Sequence, residues 1–368
     1  MSKAGPVATG REQRVLEIIE TARSKRARFR DKQITLAHGA GGKATQTLIE
    51  GLLVPAFASD GTGALPALAD AGAIEVGATR LAMTSDSFVV KPLRFPGGSI
   101  GELAVNGTVN DLAMAGARPL ALTVSMILEE GLDSDVLRAE VQAIAAAAAT
   151  AGGEIVGGDT KVVERGAADG MYLCTTGVGE VDPRAQLATD GIRPGDQILV
   201  SGPIGEHGTA IMLARNQFDL DASIESDTCS LWPAADALLE EAGAGLHCMR
   251  DATRGGVASV LNELARASGV AFVVREADVP VSPIVAAAAE LLGIDPMYVA
   301  NEGRLVAFVA PEAADAALGA LRQVSGCERA AAIGEVRREP PGMVLVHTAF
   351  GGRRVMDQLV GDPLPRIC

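Results

Sequence analysis

The stretch SDSFVVKPLRFPGGSIGELAVNGTVNDLAMAGARPLALTVSMIL, residues 85–128, decides the fold of this chain. It opens on the end of a strand-like segment and turns through prolines and glycines between residues 92 and 98. Ser99 and Glu102 have the spacing of a capping box, which predicts a helix that begins there and runs through Ala115. The apolar run LALTVSMIL that follows predicts a strand. A strand, a helix and a strand in succession indicate an α+β fold.

The segments on either side of this stretch continue the pattern. Strand-like and helical runs at 74–78, 80–90, 134–151, 154–160 and 171–181 predict a first α+β domain at residues 34–182. A glycine turn at Gly195 then leads into a new strand, and helices at 206–215, 232–242 and 257–267 precede further strands. These elements predict a second α+β domain at residues 195–348.

The two ends of the chain fall outside these domains. A length of 368 residues fits two domains of ordinary size, each with its own core. Residues 1–33 form a basic extension with a short apolar patch around Val15 and Ile19, and two interpretations stay open: a mostly disordered arm or a helix that docks on a partner. Residues 349–368 end in GDPLPRIC and are expected to form a flexible, proline-stiffened tail.

Composition and charge exclude several classes of function. The formal net charge of −14 repels polyanions, so binding to nucleic acid or to an anionic membrane is not expected. The sequence has no apolar run long enough to span a membrane and no secretory signal, so we expect a cytoplasmic protein. The five cysteines form no C-x-x-C pair and no zinc spacing, which suits a reducing compartment.

A glycine loop, Gly39-Ala40-Gly41-Gly42-Lys43, follows the strand-like segment ITLAH and precedes an expected amphipathic helix. It matches neither a Walker A loop nor a dinucleotide fingerprint, because Ala37 and Ala44 occupy required positions. Consecutive backbone N–H groups beside a lysine can still hold phosphate oxygens. A phosphate loop and a plain glycine turn both remain open.

Four aspartates lie at the ends of predicted elements among small residues: Asp86, Asp111, Asp159 and Asp251. Mg²⁺ binds one or a few carboxylates together with phosphate oxygens, so convergence of these loops on a triphosphate makes chemical sense. Each aspartate alone could equally cap a helix or a turn.

These motifs resemble a known family. Residues 85–128, the segments GGDTKVVERG, DATRGGVASVLNELA and NEGRLV, and the terminal PRIC are similar to those of the hydrogenase maturation carbamoyl dehydratases, the HypE family. That family belongs to the superfamily of aminoimidazole ribonucleotide (AIR) synthetase and selenophosphate synthetase, also called PurM-like. The resemblance covers residues 34–368, and the terminal Pro-Arg-Ile-Cys singles out the dehydratases.

The resemblance implies an architecture and a set of site residues. The N-terminal domain would form a β-barrel-like interface in a homodimer, and ATP would lie in the cleft against the C-terminal α+β domain. It implies Mg²⁺ ligands at Asp86, Asp111 and Asp251. It also implies nucleotide contacts at His38, Gly39, Gly41, Gly42, Lys43, Asp86, Asp111, Gly158, Asp159, Thr160 and Asp251. For His38 a structural hydrogen-bonding role stays equally open, and the other histidines, His207, His247 and His347, form no motif.

The implied reaction takes place on the chain's own C-terminus. Cys368 would carry a carbamoyl group, and ATP-dependent dehydration would turn it into a thiocyanate that supplies the cyanide ligand for the iron of [NiFe]-hydrogenase. Hydroxide leaves poorly from an amide-like carbon, whereas phosphate leaves readily after phosphoryl transfer to the carbamoyl oxygen. Glu302 would act as base, Lys161 would stabilise phosphate charge, and Arg254 would assist. The implied partners are the carbamoyltransferase that loads Cys368 and a HypC–HypD-type complex that accepts cyanide.

Two alternatives remain open. Another ATP-dependent enzyme of the superfamily, such as a selenophosphate synthetase, would share the aspartates but would not need the terminal PRIC. A non-catalytic maturation scaffold would bind nucleotide without turnover, or would not bind it.

Overall fold

The structure is a computed structural model, and it describes residues 28–57, 69–215, 224–359 and 366–368. The apolar patch around Val15 and Ile19, for which a docking helix remained open, lies outside the described residues, as do Pro363 and Pro365 of the tail. No helix in the described ranges is long and apolar enough to cross a membrane.

The first half of the chain forms a sheet of mixed direction. Its strands are β1 (Gly72–Val76), β2 (Thr79–Phe88), β5 (Ala117–Glu129), β6 (Glu154–Val163) and β7 (Met171–Val181), and a short hairpin, β3 (Arg94–Phe95) with β4 (Gly98–Ser99), stands apart. The order is β1-β2-β7-β5-β6, antiparallel except for the parallel pair of β5 and β6. Because β6 is an edge strand, residues 154–162 are exposed on both of its faces.

The second half forms a larger sheet. Its strands are β8 (Gln197–Val200), β9 (Leu246–Asp251), β10 (Ala271–Arg275), β11 (Leu305–Val309), β12 (Ala331–Arg337), β13 (Val344–His347) and β14 (Arg353–Met356). Their order is β14-β13-β10-β12-β8-β11-β9, so β9 forms one edge. The strands β9, β10 and β11 are almost continuously buried, which explains the apolar runs AFVV of β10 and LVAFV of β11.

Helices cover the two sheets. They are α1 (Lys43–Leu48), α2 (Val54–Phe57), α3 (Ile100–Met114), α4 (Ser134–Ala151), α5 (Glu206–Ala214), α6 (Trp232–Ala242), α7 (Gly256–Ser268), α8 (Pro283–Leu292) and α9 (Pro311–Leu321). Nearly every residue of α3 is buried, because this helix packs on the first sheet and also contacts α6 and β9 of the second half. Its buried polar residues Asn106, Thr108 and Asn110 are hydrogen-bonded to neighbouring segments, as such a central position requires. It carries Asp111 to the boundary between the halves.

Several sequence-based expectations need correction. Ser99 precedes α3, but its side chain makes no capping hydrogen bond, so the predicted capping box with Glu102 is wrong. The buried Glu140 of α4 accepts the Gly101 N–H instead, at 3.0 Å, and so satisfies one of the donors that begin the helix.

Three further segments differ from their predicted form. The strand expected at ITLAH is a 3₁₀ turn, Leu36–Gly39, because the N–H of His38 donates to the carbonyl of Thr35 at 3.0 Å. The expected amphipathic helix changes to a π turn at Ile49–Leu53 and buries none of its apolar side chains. The tail begins later than expected, since Arg353–Met356 forms β14 against β13 and buries Met356.

Candidate active site

Two cavities meet at the last residue of the chain. The tail cavity, of about 680 Å³, lies between the turn at residues 34–42, Arg254 and residues 366–368. The carboxylate cavity, also of about 680 Å³, is lined by Asp86, Asp111, Asp251 and Glu302 among others. Cys368 and Arg254 border both cavities. The cleft between the two halves of the molecule therefore brings the terminal cysteine and the acidic loops together.

Three aspartates converge in the carboxylate cavity from separate elements. Asp70 lies in the turn before β1, Asp111 in the last turn of α3, and Asp251 at the end of β9. One oxygen from each lies within 4.8 Å of the other two. Thr84 donates to Asp111 at 2.7 Å, and Arg250 pairs with Asp70. Asp86 lines the same cavity from β2, where β2 approaches α3.

The close packing of these groups changes their acidity. Burial raises the pKa of both Asp111 and Asp251 well above the usual value, and neighbouring carboxylates raise it further. Burial also raises the pKa of Asp70, although Arg250 opposes that shift. Burial and mutual repulsion therefore make these carboxyls harder to ionise than an exposed aspartate, unless a cation offsets their charge.

The residues present fit a divalent cation. Carboxylate oxygens are the ligands that Mg²⁺ prefers, and three of them here lie close enough to share one ion. Close beside them, Oε1 of Glu302 is buried and accepts no hydrogen bond from any described residue. Asp111 and Asp251, two of the three predicted metal ligands, belong to the cluster, and Asp70 takes the third place, with Asp86 alongside.

Glu302 is held at the end of the segment that precedes β11. Its backbone N–H donates to Asp227 Oδ1 at 2.9 Å, and its carbonyl accepts from Asn110 Nδ2 at 3.2 Å. Burial, followed by the charges of Asp251 and other carboxylates, raises the pKa of Glu302 well above its usual value, while Arg254 opposes the shift. The backbone of Glu302 is thus fixed on both sides, and its Oε1 has no hydrogen-bond partner among the residues that the structure describes.

The glycine loop packs against Arg254 and against the segment around Asp357 and Leu359. Gly41 has φ +75°, and a Cβ there would lie 2.8 Å from the carbonyl oxygen of Arg254, so the close approach requires glycine. Gly42 faces the carbonyl of Leu359 in the same way, and Lys43 Nζ binds Asp357 at 2.9 Å. Gly39 accepts from Arg254 Nη1 through its carbonyl at 3.1 Å.

His38 is buried beneath this loop. Its Nδ1 accepts from the backbone N–H of Thr35 at 3.0 Å, and its Nε2 lies 3.0 Å from Asp31 Oδ2. Both ring nitrogens are therefore engaged within the chain, which favours the structural role that the sequence left open.

The end of the tail is docked between the two cavities. The N–H of Val89 donates to the main-chain oxygen of Cys368 at 3.0 Å, just beyond the end of β2. Arg366 binds Asp169 at 2.5 Å, and its guanidinium also reaches the carbonyl of Val89. The negative charge of Cys368 is the largest contribution to the raised pKa of Arg254. The terminal residue thus lies in the cleft with a cation beside it.

Four predicted site residues are not brought to this cleft within one chain. Gly158, Asp159, Thr160 and Lys161 lie on the exposed edge strand β6. Lys161 Nζ pairs there with Asp159 Oδ2 at 2.6 Å, and neither residue lines either cavity. Their roles stay predictions.

The sequence reading missed three residues that shape the site. Asp70 stands between alanines before a strand, a setting much like those of the chosen aspartates, so the same criterion would have found it. His207 and Asp227 gave no local signal, because their partners are distant in sequence.

Comparison with known proteins identifies the family. Models of the AIR synthase related protein match in two parts: the N-terminal domain at residues 68–181 and the C-terminal domain at residues 193–346. The carbamoyl dehydratase HypE of Rhodobacter capsulatus is 48% identical over 341 residues, which are 92% of this chain and 99% of the relative.

Solved structures agree with this result. The chain resembles the HypE structure of a HypE–HypF complex with a TM-score of 0.80 and 40% identity, covering 85% of this chain and 99% of that one. It resembles HypE in complex with ATP with a TM-score of 0.76 and 43% identity, covering 91% of this chain and all of that one. The predicted α+β, two-domain PurM-like fold is confirmed.

Proposed function

The chain belongs to the carbamoyl dehydratase HypE family, and from that premise we propose that it dehydrates a carbamoyl group on its own Cys368 to a thiocyanate, with ATP as co-substrate. The observation that carries this function is the position of Cys368, which borders both the carboxylate cavity and the tail cavity. A terminal cysteine docked beside an acidic cluster is what a carrier thiol needs at the moment of reaction. The thiocyanate supplies the cyanide ligand of [NiFe]-hydrogenase iron.

The reaction breaks the carbon–oxygen bond of the carbamoyl group and makes the nitrile. ATP, when bound, supplies the phosphoryl group that makes the oxygen a good leaving group, and Mg²⁺ balances the phosphate charge. The nitrogen gives up both of its protons as the C≡N bond forms. Sulfur keeps its bond to carbon throughout, so the product stays attached to Cys368.

The residues of the cleft have separate tasks in this scheme. Asp70, Asp111 and Asp251 would hold Mg²⁺, with Asp86 beside them. Arg254 borders both cavities together with Cys368, so its guanidinium can offset negative charge that develops in the cleft. Glu302 accepts a proton from the carbamoyl nitrogen, because its buried Oε1 otherwise has no hydrogen-bond partner among the described residues. A cation at the aspartates cancels charges that raise the pKa of Glu302, which favours the carboxylate that the role requires.

A second copy of the chain would complete the site. The first sheet and its edge leave several large apolar side chains more than one third exposed: Ile74, Val76, Met83, Ile127, Ile155, Val156 and Val162. Asp159 and Lys161 pair in register with Ser125 and Ile127 and so share their outer face. Packing of this face against a second copy in a homodimer would cover the apolar side chains that it carries, such as Met83 and Ile127, and bring Lys161 to a cleft.

Other partners follow from the chemistry. A HypF-type carbamoyltransferase would load Cys368, and a HypC–HypD-type complex would accept the cyanide. We propose a cytoplasmic location, because the carrier cysteine must be kept as a thiol and a reducing compartment provides this.

The test follows the mass of the C-terminal peptide. The purified chain is incubated with a HypF-type carbamoyltransferase, carbamoyl phosphate and Mg²⁺-ATP, with Cys368→Ala as the control. We expect the gain of a carbamoyl group and then an ATP-dependent loss of one water, both absent in the control. An unmodified Cys368 beside continued ATP hydrolysis would favour another substrate of the superfamily, and loading without any dehydration would favour a scaffold.

A further inference from the structure

His207 connects the body of the protein to the residue that precedes the carrier cysteine. It lies on α5, is fully buried, and packs edge-on against Phe95. Its Nε2 is 2.7 Å from the carbonyl oxygen of Ile367, and its Nδ1 is 2.8 Å from Ser226 Oγ. Neither contact belongs to the metal cluster or to the glycine loop.

The hydrogen bonds around His207 have one consistent direction. A carbonyl oxygen can only accept, so Nε2 carries the ring proton and donates to Ile367. The hydroxyl of Ser226 therefore donates to Nδ1, while Ser226 Oγ itself accepts the N–H of Thr228 at 3.1 Å. Burial lowers the pKa of His207 to about 4, so the ring is neutral near neutral pH and this arrangement is kept.

The same loop also positions Glu302. Asp227 lies between Ser226 and Thr228, and its Oδ1 accepts the backbone N–H of Glu302 at 2.9 Å. Adjacent residues of one loop thus hold the proposed proton acceptor and, through His207, the end of the tail. The distance between Glu302 and the group on Cys368 depends on this loop.

Ile367 is a well-placed anchor for the tail. Its side chain is 5% exposed and belongs to the apolar core of the first half, while Cys368 is only half-buried. Arg366 is held by Asp169 at the surface side of the tail. The bond from His207 is a buried contact next to the carrier residue, beside the bond from Val89 N–H to Cys368 itself, so its loss would loosen Cys368 while the fold around it remains.

We propose that His207 is a positioning residue for the dehydration: its Nε2–H fixes the carbonyl of Ile367 and so holds the loaded Cys368 in register with Glu302. This inference rests on the proposed function, but its structural part, the fixing of Cys368, can be measured without turnover. His207 does not touch the reacting atoms.

Two amide variants separate the two hydrogen bonds of the ring. In His207→Gln the amide reaches the place of Nε2 and can still donate to Ile367. In His207→Asn the amide reaches only the place of Nδ1, so the bond to Ser226 is kept and the bond to Ile367 is lost. Both variants put a carboxamide at the same buried position, so they should lower the stability of the fold by similar amounts.

The first measurement is the rate of alkylation of each cysteine by iodoacetamide, resolved by peptide mass. We expect His207→Asn to raise the rate at Cys368 about tenfold, the size of effect that loss of one buried hydrogen bond produces. Buried Cys248 and Cys327 report general loosening and should not change. His207→Gln should recover most of the protection at Cys368.

The second measurement is the single-turnover rate of ATP-dependent loss of water from pre-loaded Cys368. His207→Asn should lower it about tenfold, with His207→Gln in between and ATP affinity unchanged. Equal Cys368 alkylation in the wild type and His207→Asn, or parallel increases at Cys248, would overturn the inference. If His207→Asn does not fold, Ser226→Ala takes its place, and unchanged Cys368 protection there counts against the inference. A wild type that never dehydrates its carbamoyl group refutes the proposed function alone, because the alkylation comparison still stands.

Discussion

Asp251 is a single residue whose carboxylate is repelled by its neighbours in the cleft. Its side chain is buried at the end of β9, and Asp70 and Asp111 lie close enough to share one ion with it. Like charges held together in a low-dielectric cleft repel one another more strongly than in water. The fold therefore keeps a locally unfavourable arrangement that a bound cation stabilises.

Replacement of Asp251 by asparagine should stabilise the metal-free protein. Removal of one of the converging carboxylates relieves repulsion, so Tm without Mg²⁺ should rise on the order of 3 °C. The wild type should gain Tm on addition of Mg²⁺, because the ion binds the native state, and Asp251→Asn should lose this gain. Thermal unfolding with Mg²⁺ and with EDTA measures both effects. Asp315→Asn, at an exposed position of α9, is the matched control, and a lower metal-free Tm for Asp251→Asn would contradict the prediction.

His207 should make stability depend on pH. Its pKa is lowered to about 4 in the folded protein, while the unfolded chain titrates near the ordinary value of about 6.5. The unfolded state therefore binds the extra proton first, so the stabilisation is complete above about pH 6.5 and is lost as the pH falls toward about 4. At about pH 5 the loss amounts to about 2 kcal/mol.

Urea denaturation of the wild type and His207→Gln at several pH values isolates this contribution. The difference in free energy of unfolding between the two proteins should shrink as the pH falls, because the glutamine does not titrate. Parallel pH profiles would show that His207 is not buried in neutral form.

At the scale of residues, the sequence predicted which side chains reach the site better than it predicted which residues those side chains contact. Asp86, Asp111, Asp251, Glu302 and Cys368 were chosen because they stand at element ends or match a family motif, and all of them border the carboxylate cavity. Whether a lysine beside a glycine loop points toward phosphate depends on its tertiary partner. The position of Lys43 against Asp357 could therefore not be predicted.

At the scale of elements, β6 is an edge strand whose residues stay exposed in a single chain. Apolar periodicity predicted most strands and helices, because it reports burial, and burial follows the two sheets. It failed where long-range contacts decide: Glu140 rather than Glu102 satisfies the start of α3, and β14 forms only because β13 offers an edge. An edge strand exposed on both faces, with Val156 and Val162 in water, is typical of a strand that another chain covers, and the sequence of one strand does not reveal this.

A charge on the outer face of the first sheet should separate the dimer. Ile127 on β5 is 41% exposed, and Ile127→Glu would place a carboxylate in the proposed interface. If the wild type forms the proposed dimer, sedimentation velocity should show monomers for Ile127→Glu, with unchanged Tm in dilute solution. Val141→Glu is the control, since Val141 is 43% exposed on α4 and lies away from that face. A dimeric Ile127→Glu protein would place the interface elsewhere.

At the scale of the whole molecule, the residues proposed for the reaction lie in two separate places of one chain. Glu302 and Cys368 border one cleft, while Lys161 lies on the far edge of the first sheet. If Lys161 serves the cleft of the other copy, then Lys161→Ala and Glu302→Gln are each inactive as homodimers but complement each other when mixed. The mixed dimer contains one site with both wild-type residues, formed by Glu302 of one chain and Lys161 of its partner, and one site with neither.

The mixing experiment is decisive because the alternative arrangement gives no activity at all. If Lys161 acted within its own chain, every site in the mixed dimer would lack one of the two residues. Random exchange of equal amounts makes half of the dimers mixed, each with one working site, so about a quarter of the wild-type dehydration rate should return. The rate is followed by loss of water from the carbamoylated C-terminal peptide, and a mixture kept under conditions that prevent subunit exchange is the control. Recovery to that level would assign Lys161 to the partner's cleft, whereas a mixture as inactive as its parents would confine Lys161 to its own chain or remove it from the reaction.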